Sequence, residues 1–566
     1  MNVENTLTVA RLERGLTPAG DDAYADWSAE VLAADNADTQ WAEGEARLDA
    51  LGFNQCLIPP ALGGQWRGMD LLMDLFRVLY RKDPCLGLGY AGSSFIACCN
   101  IWAIGSPTQQ QAIAQALHNN EKLACSYYEP QHGNDLTAVA FSATRQDGQW
   151  VLDGEKQVTS NIARCSYFVA FARTSPQPGS RSHTQILVSK AQLPAGALQD
   201  LPRHQSVGMR GVQLGGIRCQ RVRLPAAADE QLLMGEEGKA LETAMRSFQV
   251  TRTLLPGMFV GILDSGLRLA TRFSLQRHLY GHCLAEFPAA RQILSGALLD
   301  LLLADCFSRL SARALHLHPA FCCLYAPAVK IVVPKLLIGA MNRLADHLGA
   351  SFYQTDGAYG LFQKLLRDVK PAGFAHIGRP ACELTLLPLL FMLARKTAAV
   401  AEPAELSPQL AAETPIEQAI DFARLQVAPG GRDPLLDSLL HNAALLDDAL
   451  ATRVIAARAQ LLRDLQALDP RDISAAAPVS HYRLSALYAG LIAIGSCLAW
   501  HRAMPQKLPL ILTQLMVKRQ LAHLQLNADD GLSEAEADRV FDHLRDAYRR
   551  QVSFDLMQYP LQGWEN

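Results

Sequence analysis

From about residue 22 to residue 122, apolar positions recur at the spacing of helices. Asp22 to Leu51, Met69 to Tyr80 and Gln109 to Leu117 each place their apolar residues on one helical face, and Leu57-Ile58-Pro59-Pro60 with Gly63-Gly64 interrupts the pattern. Near Ala124 the period shortens to two. Phe141 to Thr144, Trp150 to Leu152, Tyr167 to Ala172, Gln185 to Val188 and Ile217 to Leu224 predict strands, and Asp153-Gly154 reads as a hairpin turn. From Gly238 to Lys396 the helical period returns with long apolar faces. Residues 397–414, rich in Ala, Glu and Pro, predict a linker, and helices resume from Pro415, with Leu435 to Leu465 the clearest.

Length and composition set the scale. A chain of 566 residues is too long for one core, and 49% hydrophobic with 19% charged residues describes a folded chain. The pattern divides into a helical domain (1–122), a β-domain (123–237), a helical bundle (238–396), the linker and a further helical domain (415–566). A net charge of −3 offers no basic field for nucleic acid. The first residues lack the basic start and apolar run of a signal peptide, and thirteen cysteines in a chain this long do not read as a disulfide framework. Both features predict a cytoplasmic protein with reduced thiols. The uncharged run Leu484 to Trp500 is 17 residues, shorter than the roughly 20 of a membrane span. It predicts a buried bundle helix rather than a membrane contact.

A series of motifs carries the chemistry. In order they are Leu51-Gly52-Phe53, the run from Ser126-Tyr127-Tyr128-Glu129-Pro130 to Asn134-Asp135, and Asp153-Gly154-Glu155-Lys156 leading to Thr159-Ser160-Asn161. Gly208-Met209-Arg210-Gly211, Gly235-Glu236-Glu237-Gly238, Arg277-His278-Leu279-Tyr280-Gly281 and Leu366-Arg367-Asp368-Val369-Lys370 follow. This ordered set resembles the acyl-CoA dehydrogenase family over about residues 20 to 395. The resemblance implies an α+β fold with a helical N-terminal domain, a middle β-barrel or sandwich and a C-terminal helical bundle, here followed by an additional helical domain.

What the resemblance implies about function is specific. FAD would be held by Tyr127, Tyr128 and Glu129 beside its ring, by Ser160 at flavin N5, and by Arg277, Tyr280 and Gly349 at the diphosphate and adenine end across a subunit interface. Asn134 and Arg252 would face the substrate, an acyl thioester of coenzyme A or of an acyl carrier protein, and electrons would pass to a flavoprotein or to oxygen. Members with an extra C-terminal domain are often dimers, so a homodimer is expected.

The departures from the family pattern matter most at the base. Counting from the Arg-Asp pair, the family's catalytic glutamate falls on His376, or on Ile377 if Gly378 is matched with the family's glycine, and the family's second base position, just before Arg252, is Thr251. An imidazole with a reference pKa of about 6.5 can accept a proton near neutrality, which makes His376 the catalytic candidate. Val158 stands where a tryptophan packs by the flavin, and Asp346 stands where a glutamine is usual. The leading expectation is dehydrogenation of a specialised acyl thioester in secondary metabolism. A flavin monooxygenase on the same fold, which needs no α-proton base, and a non-catalytic partner subunit are the alternatives. His316-x-His318 with Cys322-Cys323 matches no zinc spacing, and no metal site is expected.

Overall fold

The computed structural model describes residues 6–20, 22–226, 229–399, 402–474, 476–526 and 531–564. Helices Val9–Leu16, Ala23–Asn36, Ala42–Leu51, Met69–Lys82, Ser93–Ile104 and Pro107–His118 form the first layer. The last of these begins with a capping box, in which Ser106 and Gln109 satisfy each other's free amides.

One eight-stranded sheet follows: β1 (Leu123–Ser126), β2 (Ser142–Gln146), β3 (Gln149–Ser160), β4 (Tyr167–Arg173), β5 (His183–Ser189), β6 (Leu198–Leu201), β7 (Leu214–Arg223) and β8 (Leu233–Met234). Its order is β6-β7-β3-β2-β4-β5-β8, with β1 pairing in parallel with β4. The hairpin turn between β2 and β3 is Asp147-Gly148, both at positive φ, and not Asp153-Gly154. Gly154, at φ 118°, instead marks a bulge where the β3–β7 register shifts. Both dipeptides carry the same turn signal. Pairing of Trp150 with Arg145 and of Val151 with Arg223 draws 153–154 inside the ladder.

The long helices Ala240–Met258, Val260–Gln276, Pro288–Leu317 and Cys322–Leu348 make the bundle, and Arg379–Ala399 closes it. The segment 402–414 is not a free tether. Leu410 and Ala411 are buried, and Arg313 donates to the carbonyls of Gln409 and Thr414. The predicted helix over 435–465 is two helices, Pro434–Asn442 and Asp448–Gln466, because Asp447 caps a new start at the Leu450 amide.

Five helices among the described residues are long and apolar enough to cross a membrane, Val479–Ala503 among them. The apolar window of that helix is 89% buried. Trp500 donates to the Cys306 carbonyl, and Tyr488 donates to Asp433 at 2.7 Å, so protein fills its surroundings.

The chain's end returns to its beginning. Trp27 donates to the Gly563 carbonyl at 3.0 Å and packs edge-on to Trp564. Beneath this contact lies a buried ionic network: Arg77 bonds Asp305 at 2.5 Å, Arg309 holds Asp74 with two bonds, and Arg81 bonds Glu13. Backbone amides of Phe554 and Leu556 donate to Asp264 and Asp305. Carboxylates buried this deeply need such partners to stay charged.

Candidate active site between the sheet and the helical bundle

Helix Ala240–Met258 places Phe248, Thr251 and Arg252 on adjoining positions of one face, three and four residues apart. His376 meets this face from the loop after Pro371–Phe374. Its Nε2 lies 2.6 Å from the Thr251 hydroxyl, and its ring packs edge-on to Phe248 with centroids 4.9 Å apart. The other side of Phe248 is covered by Tyr127, just past β1, at 5.8 Å. Phe248 therefore joins the sheet to the loop that carries His376.

The loop itself is fixed from two directions. Lys330, buried in the Cys322–Leu348 helix, donates to the carbonyls of Ala372 at 2.6 Å and Ala375 at 3.0 Å. Upstream, Arg367 bonds Asp35 and the Val207 carbonyl, while Asp368 accepts from Lys364 and from the Met209 amide. A Cβ on Gly208 would lie 2.9 Å from the Arg367 backbone, so glycine is what lets the 208–211 loop dock there. His376 sits at φ 65°, a left-handed conformation held by this packing.

The electrostatics around His376 are one-sided. Arg252 is 5% exposed; its guanidinium lies 4.6 Å from the Phe248 ring centre, and its Nε has no hydrogen-bond partner. Burial lowers the affinity of Arg252 for its proton and brings Lys330 down to about 8. Burial, with Arg252 and then Lys330 nearby, pushes the His376 imidazole down to about 3. His376 is thus neutral throughout the physiological range and a far weaker proton acceptor than its residue type suggests.

The sequence-predicted cofactor residues fall into two groups. At the sheet, Thr159 turns inward to bond Ser126 at 2.8 Å, while Val158 and Ser160 keep partly open surface, and Tyr128 is exposed. Tyr127 is turned inward, its hydroxyl 2.7 Å from Asn100 and its carbonyl accepting from Lys156 at 3.2 Å, so its side chain does not face a ring. Glu129 is also committed: it accepts from Lys156 at 2.9 Å and from the amides of Ala140 and Phe141. Burial opposes its charge, but these donors outweigh it and hold the carboxyl below its usual range. Asn134 lies exposed on the loop beyond.

At the far end of the bundle, Arg277, Tyr280 and Gly349 are on the surface. Tyr280 is 93% exposed, and a Cβ on Gly349 would touch nothing within 4 Å. His347, next to the exposed Asp346, bonds Ser274 and ties these two segments together. None of these groups touches His376.

Sequence reasoning missed Phe248 and Lys330. A lone lysine inside the apolar run Ala326 to Val333 was the available signal for Lys330. The His316 and Cys322-Cys323 group does not form a ligand set: His316 accepts the Met69 amide at 3.0 Å, and both cysteines are buried. Asp83, Cys85 and Asp368 do cluster, but the Lys364 ammonium stands 2.6 Å from each carboxylate and fills the position of a cation.

Residues 124–222 match the acyl-CoA dehydrogenase middle domain, and residues 238–376 match the acyl-CoA dehydrogenase C-terminal domain, ending on His376 itself. The chain carries the middle and C-terminal domains of the acyl-CoA dehydrogenase family. It is 25% identical over 244 residues to the mitochondrial isovaleryl-CoA dehydrogenase of Oryza sativa subsp. japonica, covering 43% of this chain and 57% of that one. The chain spans little more than half the length of the curated relatives it matches first.

In fold it is similar to an acyl-CoA dehydrogenase complexed with FAD from Bacillus anthracis, with a TM-score of 0.69 and 14% identity over 100% of this chain and 93% of that one. The prolyl acyl carrier protein oxidase AnaB covers 66% of this chain and 100% of its own at a TM-score of 0.57 and 17% identity. The full-length likeness includes the helices after residue 414, which are therefore part of a known variant of this fold.

FAD is the cofactor of this family. The residues here fit it at both ends. Ser160 offers a hydroxyl on a partly open face, where Val158 makes a smaller wall than tryptophan. Arg277 offers two donors suited to a diphosphate, and the open Gly349 lets backbone approach it.

Proposed function

We propose that this protein is an FAD-dependent oxidoreductase acting on an acyl thioester, carried by coenzyme A or by an acyl carrier protein. The observation that carries the reading is the junction of Tyr127, Phe248 and His376, where the two matched domains meet. Bound there, FAD would supply a two-electron acceptor for hydride from the acyl β-carbon. Ser160 would orient it by its hydroxyl, and Phe248 would exclude water from the reacting face. Arg252 would stabilise negative charge that develops on the acyl group.

Arg277 and Tyr280, exposed and far from His376, support a homodimer in which one protomer completes the FAD site of the other. The likeness to an acyl carrier protein oxidase supports a specialised substrate of secondary metabolism, and thirteen free cysteines support a reducing, cytoplasmic setting. Burial of 89% of its apolar window supports Val479–Ala503 as an internal helix of the bundle.

One observation favours a second reading, a flavin-dependent monooxygenase. Thr251 and a weakly basic His376 occupy both base positions, and oxygen activation needs no α-proton base. The visible spectrum before and after FAD addition tests the cofactor. Anaerobic titration with acyl thioesters then tests the oxidation: bleaching near the flavin band supports it. Bleaching only by a nicotinamide or partner reductase, followed by oxygen uptake, supports the monooxygenase.

A further inference from the structure

Two buried cations face the place where the family resemblance puts a carboxylate, and among the described residues no carboxylate takes up that charge. Arg252 is nine-tenths buried with its Nε unpartnered, and Lys330 spends its bonds on the carbonyls of Ala372 and Ala375. Among the described residues, no carboxylate pairs with either group. The Thr251–His376 pair that fills the base positions is neutral and satisfies itself at 2.6 Å. An unpaired buried guanidinium is costly, and the anion that relieves it must come from outside the chain.

We infer that the acyl group itself brings this anion: the substrate is an α-carboxyacyl (alkylmalonyl-type) thioester, whose carboxylate binds Arg252 and Lys330 beside His376. This rests on the acyl-thioester reading above. It also accounts for the missing base. In an alkylmalonyl thioester the bond from the α-carbon to the carboxylate breaks, carbon dioxide leaves, and the electron pair stays on the α-carbon as the enolate. The β C–H bond would then break with its pair leaving as hydride to the two-electron acceptor that bound FAD would supply, and the enolate pair would form the α,β double bond. The acyl group loses two electrons, the flavin gains two, and no residue of the protein has to remove a proton.

The charge moves only a few ångströms, from carboxylate to enolate, so the same two cations stabilise it before and after. The apolar ring of Phe248 keeps the site dry, which favours loss of carbon dioxide over retention of a hydrated carboxylate.

The test uses the FAD-loaded full-length protein. Malonyl-CoA and acetyl-CoA have no β-hydrogen to transfer, so they report binding without flavin reduction, with carbon dioxide release from malonyl-CoA followed alongside. The expected result is about tenfold or tighter binding of malonyl-CoA, lost in Arg252→Gln and partly kept in Arg252→Lys. Equal binding of the two, or a preference that survives Arg252→Gln, overturns the inference. Ethylmalonyl-CoA and butyryl-CoA then report the reaction. Anaerobic bleaching by ethylmalonyl-CoA with one carbon dioxide released per flavin supports it. Bleaching by butyryl-CoA alone overturns the α-carboxylate while leaving thioester oxidation standing. Bleaching by neither overturns the oxidation step and the reading beneath it.

Discussion

The Thr251 hydroxyl and Nε2 of His376 lie 2.6 Å apart, although 125 residues separate them in the chain. The resemblance to the acyl-CoA dehydrogenase family puts its two base positions on these residues, and here they bond to each other. On that reading the site holds cations and no carboxylate.

Restoring the base should restore proton abstraction. In His376→Glu the new carboxylate would lie beside Arg252, whose charge compensates it. Flavin reduction by butyryl-CoA should rise at least about tenfold, within the range general-base catalysis supplies. Stopped-flow absorbance measures it; an unchanged rate in a variant that retains FAD would refute the idea that the missing base is limiting.

The pH profile should follow Lys330 and not His376. With the imidazole at about 3, no histidine step belongs between pH 5 and 8. Lys330, at about 8, loses its charge as pH rises through that value. Binding of malonyl-CoA should therefore be flat below pH 7 and weaken above 8. A step near pH 6.5 that disappears in His376→Gln would contradict the assignment.

Acid should loosen the helical core through His316. Its Nε2 must stay neutral to accept the Met69 amide, and burial followed by Arg313 and Arg424 brings it down to about 4. The unfolded histidine binds a proton below about 6.5, so stability is lost as pH falls from there toward 4. Each pH unit in that window costs up to about 1.4 kcal/mol. His316→Gln keeps an acceptor without titrating and should flatten the fall in urea midpoint over this window.

Removing one partner from the buried ionic network should be severe. Arg309→Met leaves Asp74 and Asp305 short of a cation and should cost about 3–5 kcal/mol. Chemical denaturation gives the value; a loss below 1 kcal/mol would mean that the network is already compensated by the tail amides.

Arg277 should matter for cofactor retention and leave the thioester pocket intact. Arg277→Ala removes an exposed guanidinium and no internal hydrogen bond, so the fold should survive. FAD should dissociate about tenfold more readily, with malonyl-CoA affinity unchanged in protein resaturated with FAD. Equal FAD retention in the variant and the parent would remove Arg277 from the cofactor site.

Much of the architecture was legible in the chain because helix and strand periods depend on neighbours a few residues apart. The switch from helical spacing to alternation near Ala124 and back at Gly238 located the sheet, and the ordered motifs located the family. Asp153-Gly154 was misread because a turn dipeptide and a bulge look alike until strand partners are known. The helix over 435–465 broke where Asp447 supplied a cap. The identity of residue 376 was also plain in the sequence.

Its chemistry was not. Histidine alone implies a base near neutrality, and only the tertiary structure brought Arg252 from one helix and Lys330 from another against it. Local periodicity comes from covalent neighbours, so sequence determines it. The proton affinity of a side chain comes from the charges and the water around it, and those were settled only when the bundle closed.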